Sequence, residues 1–172
     1  MAAERRPGAA LLFYNRNLTQ VHEDSEKFAS YYWDEPQFPL YRFGFGLSYS
    51  TFGFSNLKLS AASMGTDGID ATVDVKNTGA QAGDEVVQLY THERFGSASR
   101  PARELKGFER ISLAAGESRT VRLHLSAYDI SFWSEATRRR ATEASTYDVW
   151  IGDSSTAAAH AEFSVPATMV QP

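Results

Sequence analysis

The sequence predicts an all-β chain, an antiparallel sandwich of about seven strands, with a mostly irregular extension before it. Three observations carry that expectation. From residue 51 onward, short apolar runs alternate with a period of two. Clusters of Gly, Ser, Asp and Asn punctuate them at "MGTDG", "NTGAQAGD", "LAAGES" and "GDSS". Between those clusters little room is left for a helix, and short strands at this spacing are the pattern of a sandwich.

The elements follow in order. In "TFGFSNLKLS" the apolar phase slips between Phe54 and Leu57, which predicts a bulge or bend inside one strand. "IDATVDVKNTG" turns Ile69, Ala71, Val73 and Val75 one way and Asp70, Thr72, Asp74 and Lys76 the other, as a half-buried strand does. "DEVVQLYTH" is apolar on both faces at its middle, as a central strand should be. "RPARELKGFERI" alternates in charge and reads as a solvated strand and loop around Arg100, Arg103, Glu104, Lys106, Glu109 and Arg110. "SRTVRLHLS" points Val121, Leu123 and Leu125 inward; "STYDVWIGD" sets Tyr147, Val149 and Ile151 against Asp148 and Trp150; "AEFSV" closes with Ala161, Phe163 and Val165. The immunoglobulin variety of sandwich packs a Cys pair about a core Trp. This chain has no Cys, so a fibronectin type III-like sandwich fits better.

Residues 1–50 differ in kind. "GAALLFYN" can form one isolated strand, "TQVHEDSEKFASYYWDEP" is charged and then aromatic, and "QFPLYRFGFG" is held extended by Pro36 and Pro39. The segment has no core of its own. In "PLYRFGFGLSYSTF" Gly44 and Gly46 alternate with Phe43 and Phe45, so the backbone can turn or approach other groups closely while rings splay to either side.

The totals exclude several classes. A chain of 172 residues that is 42% hydrophobic can bury a core, and its net charge of −4 supplies no basic stripe for phosphates, so no nucleic-acid partner is expected. The apolar run after Arg5 and Arg6 is about five residues long, short of the roughly 7–15 of a signal sequence, and nothing approaches a membrane span. No secretion signal and no membrane partner are expected, and the composition leaves the compartment open. Glu23 with Asp24 and Asp84 with Glu85 are sequence neighbours, which face opposite sides of a strand and cannot serve one substrate together. His22, His92, His124 and His160 lack metal-ligand spacing, so no metal or other cofactor is expected. Ser48, Ser50 and Ser118 have no base beside them in sequence.

"PLYRFGFGLSYSTF" strongly resembles the segment of family 3 glycoside hydrolases, the β-glucosidases and β-xylosidases, that joins their second catalytic domain to a C-terminal fibronectin type III-like domain. "NTG", "AGDEVVQLY", "RPARELKGF" and "LAAGES" fall in that family's order, and "YDVWIGDSS" resembles its penultimate strand and turn. "GAALLFYNRN" resembles the last strand of the preceding domain. Departures are Arg42 in place of a usual Pro, Phe45 in place of a Tyr, and "TRRRATEAS" in place of a Gly-containing turn; the loop after Asn17 lacks the usual Gly-Arg-Pro.

The resemblance implies that residues 1–50 are the tail of a second domain with its linker, and that residues 51–172 are the accessory sandwich. Family 3 enzymes are retaining glycosidases that use two carboxyl groups, and both lie upstream of anything matched here. The chain is therefore expected not to hydrolyse sugars on its own, and to be a structural piece of a truncated or split β-glucosidase-like protein. Its expected partners are the catalytic domains, in cis or in trans. Tyr41, Phe43, Gly44, Phe45, Gly46, Leu47, Tyr49 and Phe52 are expected to anchor it between domains. Tyr32 and Trp33 are the candidates for direct contact with a β-glycan, and a free-standing carbohydrate-binding or adhesion module is the alternative. Relatives are often periplasmic or secreted.

Overall fold

The computed structural model describes residues 41–170, and all of the regular structure in that range is strand. In chain order the strands are β1 (Phe52–Leu59), β2 (Ile69–Asn77), β3 (Gly83–Glu93), β4 (Glu104–Leu113), β5 (Ser118–Leu125), β6 (Phe132–Ser134), β7 (Arg139–Thr142), β8 (Ser145–Gly152), β9 (Ala159–Val165) and β10 (Met169–Val170). Seven of them build the sandwich. One sheet has the order β1-β2-β5 and the other β4-β3-β8-β9, with every pairing antiparallel. The remaining three form a small sheet, β10-β7-β6.

The alternation read from the sequence sets the core. Ile69, Ala71, Val73 and Val75 of β2 and Val121, Leu123 and Leu125 of β5 face Val87, Leu89, Ile111, Leu113, Tyr147, Val149, Ile151, Phe163 and Val165 of the other sheet. The Tyr147 and Phe163 rings stack at 5.3 Å within it. The phase slip in β1 is a bulge between Ser55 and Lys58, and Asn56 takes φ 54° there while its amide donates to Asp74 Oδ2 at 2.9 Å. Asn tolerates this left-handed conformation better than most side chains, so the strand can bend without a glycine.

The two sheets are tied at one end by Asn77, which is fully buried. Its Nδ2 donates to Gln81 O at 2.8 Å and Leu113 O at 3.1 Å, while Oδ1 accepts from Ser50 Oγ at 2.6 Å and Gly79 N at 3.0 Å. Its backbone pairs with Gly116 and Glu117 as well. Both turns that pass from one sheet to the other, β2 to β3 and β4 to β5, therefore converge on one residue.

One expectation needs correction. The "RPARELKGFERI" stretch is not simply solvated, because Arg100 and Lys106 are largely covered and each forms an ion pair, to Glu93 at 3.3 Å and Glu104 at 2.7 Å. Arg103 is half-buried over the Trp150 ring, 4.3 Å from its centroid. Long cationic side chains can lie flat on a sheet and cover apolar surface with their stems, which alternation of charge does not reveal. Asp148, placed outward by the alternation, is indeed on the outer face but is buried there by its partners.

Candidate functional site

The linker that the sequence singles out lies across the outer face of the four-stranded sheet. β3 is interior to that sheet, so its inward residues meet the core and its outward residues, Gln88 and Tyr90, need another cover. Residues 43 and 44 supply it. Gln88 Nε2 donates to Gly44 O at 3.0 Å and to Asp153 O at 2.7 Å, and Gln88 Oε1 accepts from the Tyr90 hydroxyl. Ser155 N donates to Phe43 O at 2.8 Å. Gly44 is required at this place: its φ is +81°, and a Cβ there would sit 2.8 Å from the Tyr90 hydroxyl and collide with Gln88 Oε1.

The linker backbone thus faces the sheet and its side chains face away. Tyr41 and Phe45 stack at 5.4 Å and remain about half exposed, at 59% and 49%. Phe43, Leu47 and Tyr49 are exposed too, Tyr49 almost completely at 99%. Phe52 instead packs against the core as the first residue of β1, and Gly46 has open space where a Cβ would be. The neighbouring outer face adds exposed Phe108 and Val86. The result is a row of rings held on a pinned backbone. Tyr32 and Trp33 lie outside the described residues.

Farther along the same face, Trp150 is occupied rather than available. Arg103 lies over its ring and His160 stacks on it at 5.2 Å, while Arg103 Nη1 donates to Ser155 O at 2.8 Å and Ala157 O at 2.9 Å. Arg94 grips Asp148 with two hydrogen bonds, at 2.9 and 2.7 Å, and His160 Nε2 lies 2.7 Å from the same carboxylate. Arg94 foremost, with His160, holds Asp148 below the ordinary carboxylate range. This cluster fastens loops to the sheet. Trp133, in β6, is exposed.

The chemistry-bearing residues named from the sequence do not come together. Asp84 binds Ser112 and Arg110 at the sheet surface, while burial raises the pKa of its neighbour Glu85. His124 lies 2.9 Å from Asp70 on the outer side of β5, and His92 Nδ1 is 2.7 Å from Pro101 O. Ser50 Oγ is spent on Asn77 and Gln81 O. Among the described residues no group of three or more His, Cys, Asp or Glu side chains could hold a metal ion. Glu23, Asp24 and His22 lie outside those residues. Sequence reasoning missed Gln88 and Asn77; an amide in the middle of an apolar strand, as in "VVQLY", was the available signal for the first.

Comparison with known proteins places this geometry. A model of the fibronectin type III-like domain matches residues 85–155. The periplasmic β-glucosidase of Salmonella typhimurium is 42% identical over 131 residues, which are 76% of this chain and 17% of that protein. A β-glucosidase of Listeria innocua solved in complex with glucose superimposes with a TM-score of 0.81 at 34% identity, covering 93% of this chain and 23% of that one. The GH3 β-glucosidase of Bifidobacterium adolescentis gives a TM-score of 0.68 at 36% identity, over 73% of this chain and 18% of its own. The chain spans less than a fifth of the length of the curated relative it matches here. With the sandwich, the docked linker and these relatives in agreement, the chain belongs to the fibronectin type III-like domains of the family 3 glycoside hydrolases.

Proposed function

We propose that the chain is a non-catalytic accessory domain of a family 3 glycoside hydrolase that acts on β-linked sugars, and that it fixes the position of the catalytic domains through the linker face. The observation that carries this reading is the linker itself. Its backbone is bonded to Gln88 and Ser155, while Tyr41, Phe43, Phe45, Leu47 and Tyr49 stay exposed. An isolated domain gains nothing by displaying contiguous rings, and such patches mark surfaces that pack against another body. Catalytic domains, in cis or in trans, are the partner this assigns, and any direct contact with a β-glycan falls to Tyr32 and Trp33.

The test is binding in trans. The purified chain is mixed with the catalytic portion of a family 3 β-glucosidase that lacks its own sandwich domain, and association and turnover of an aryl β-glucoside are followed. The expected result is no turnover by the chain alone, association with the catalytic portion, and loss of that association in the Tyr41→Ser/Phe45→Ser double variant. Turnover that follows this chain through purification would overturn the non-catalytic reading. Association unchanged in the double variant would overturn the assignment of the face.

A further inference from the structure

The β3–β4 loop, residues 94–103, is ten residues long and is fastened at every few positions, and one of its fastenings is anomalous. At the end of β3 the Glu93 side chain is only 1% exposed, yet neither carboxylate oxygen has an aligned hydrogen bond. Pairing opposite Tyr147 turns Glu93 to the core side of the sheet. Among the described residues its one cation is Arg100 of the loop, whose Nε lies 3.3 Å from Oε2 and whose Nη2 is 3.9 Å from Glu104 of β4.

The other groups around Glu93 compensate it only in part. The Tyr147 hydroxyl of β8 pulls the Glu93 pKa down as a neighbouring donor, yet its aligned hydrogen bond goes to Glu143 O at 3.3 Å; the Glu143 carboxylate of the β7–β8 turn brings a like charge. The loop closes directly over both acids. A Cβ on Gly96 would stand 3.0 Å from Glu93 Oε1 and 3.2 Å from Glu143 Oε2, and Ser97 donates to Glu143 from its N at 2.7 Å and its Oγ at 2.6 Å. Seating the loop therefore strips water from Glu93 and replaces it with one imperfect ion pair beside another carboxylate. Removing water from an ionised carboxylate costs more than such a pair returns.

We propose that Glu93 is a proton-operated latch on the β3–β4 loop: with a proton bound, the loop seats against the end of the sandwich, and with the proton lost, the loop loosens. The proton resides on the carboxylate, and no other group changes covalently. Burial, acting against the weaker pulls of the Tyr147 hydroxyl and then of Arg100, favours the protonated form in the seated state. By linkage, seating takes up a proton and opening releases one. The loop carries exposed Phe95 and the Arg103 that covers Trp150, so the latch governs how firmly both are held.

The test is amide hydrogen exchange of the full chain at about pH 5.5 and about pH 8, corrected for intrinsic rates, together with a carbon-detected NMR titration of the Glu93 carboxyl. Protection of residues 94–103 relative to the β2 and β5 amides is expected to fall between the two conditions, by about twofold for one unit of pKa difference and about tenfold for two. In Glu93→Gln it should stay at the acid-side level at both. The titration midpoint of Glu93 in the unmodified chain is expected above 4.5, its ordinary value, and this measurement decides the matter even if the variant does not fold. A midpoint at or below that value, equal protection at both conditions, or the same fall in Glu93→Gln would overturn the latch.

Discussion

Asn77 shows how much one residue can carry. Its side chain makes four hydrogen bonds in a buried site, one to the linker, two to the β2–β3 turn and one to the end of β4, while its backbone holds the β4–β5 turn. Asn77→Ala leaves several of those groups buried and unpaired, which predicts a loss of about 3 kcal/mol by urea unfolding, at the upper end for one polar side chain. A loss under about 1 kcal/mol would show that the turns hold themselves. Arg138 is the opposite case. It takes φ 51° in the β6–β7 turn. Left-handed backbone costs a non-glycine residue about 1–2 kcal/mol, and glycine gives back part of that as unfolded-state entropy. Arg138→Gly is therefore expected to stabilise the domain by about 0.5–1 kcal/mol, and an unchanged or lower melting temperature would contradict it.

Among the elements, the linker and β3 depend on each other. β3 could be recognised as a central strand because both of its faces are apolar around Val87, Leu89 and Tyr90, but the sequence did not say what covers the outer one. The structure places the linker there, with Gly44 against Gln88 and Tyr90. Gly44→Ala combines a positive φ with a collision against a hydrogen-bonded pair, so the linker should detach while the sandwich stays folded. Proteolysis is the check: cleavage after Tyr41, Phe43 or Phe45 should quicken several-fold with little change in the unfolding of β2 and β5. Equal cleavage of both proteins would mean that the linker is not held by this contact. The bulge in β1 was legible because a strand with one buried face has to change phase when its apolar residues do.

For the whole molecule, acids of two kinds set the response to pH. Asp148, Asp70, Asp74, Asp84 and Glu117 are held low by hydrogen bonds and ion pairs, so their contribution is complete above their ordinary values and is lost as pH falls through the lowered ones. Glu93 and Glu85 are raised by burial, so the folded chain binds protons that the unfolded chain does not, and stability grows as pH falls through their raised values. Stability should therefore peak on the mildly acidic side, above about pH 4, and decline toward neutrality. Urea midpoints measured at intervals from about pH 4 to pH 8 check this, and a midpoint that rises steadily to the alkaline end would refute it. Glu93→Gln should flatten the neutral-side decline.

By itself the sequence determined the sandwich, its seven principal strands, the inward residues of β2 and β5 and the family the chain resembles, because a period of two combined with one buried face leaves no other arrangement for those side chains. It also marked the linker as a run of rings on a flexible backbone. Tertiary structure alone decided where that backbone lies, that Gln88 and Asn77 are its polar anchors, and that Arg100, Arg103 and Lys106 lie on the sheet instead of in solvent. The reason is physical: alternation reports which side of a strand is apolar, whereas hydrogen bonds between residues tens of positions apart depend on which strands meet. The buried Glu93 belongs to the same class, since a carboxylate two residues after Thr91 looks ordinary until β8 pairs beside it and the following loop closes over it.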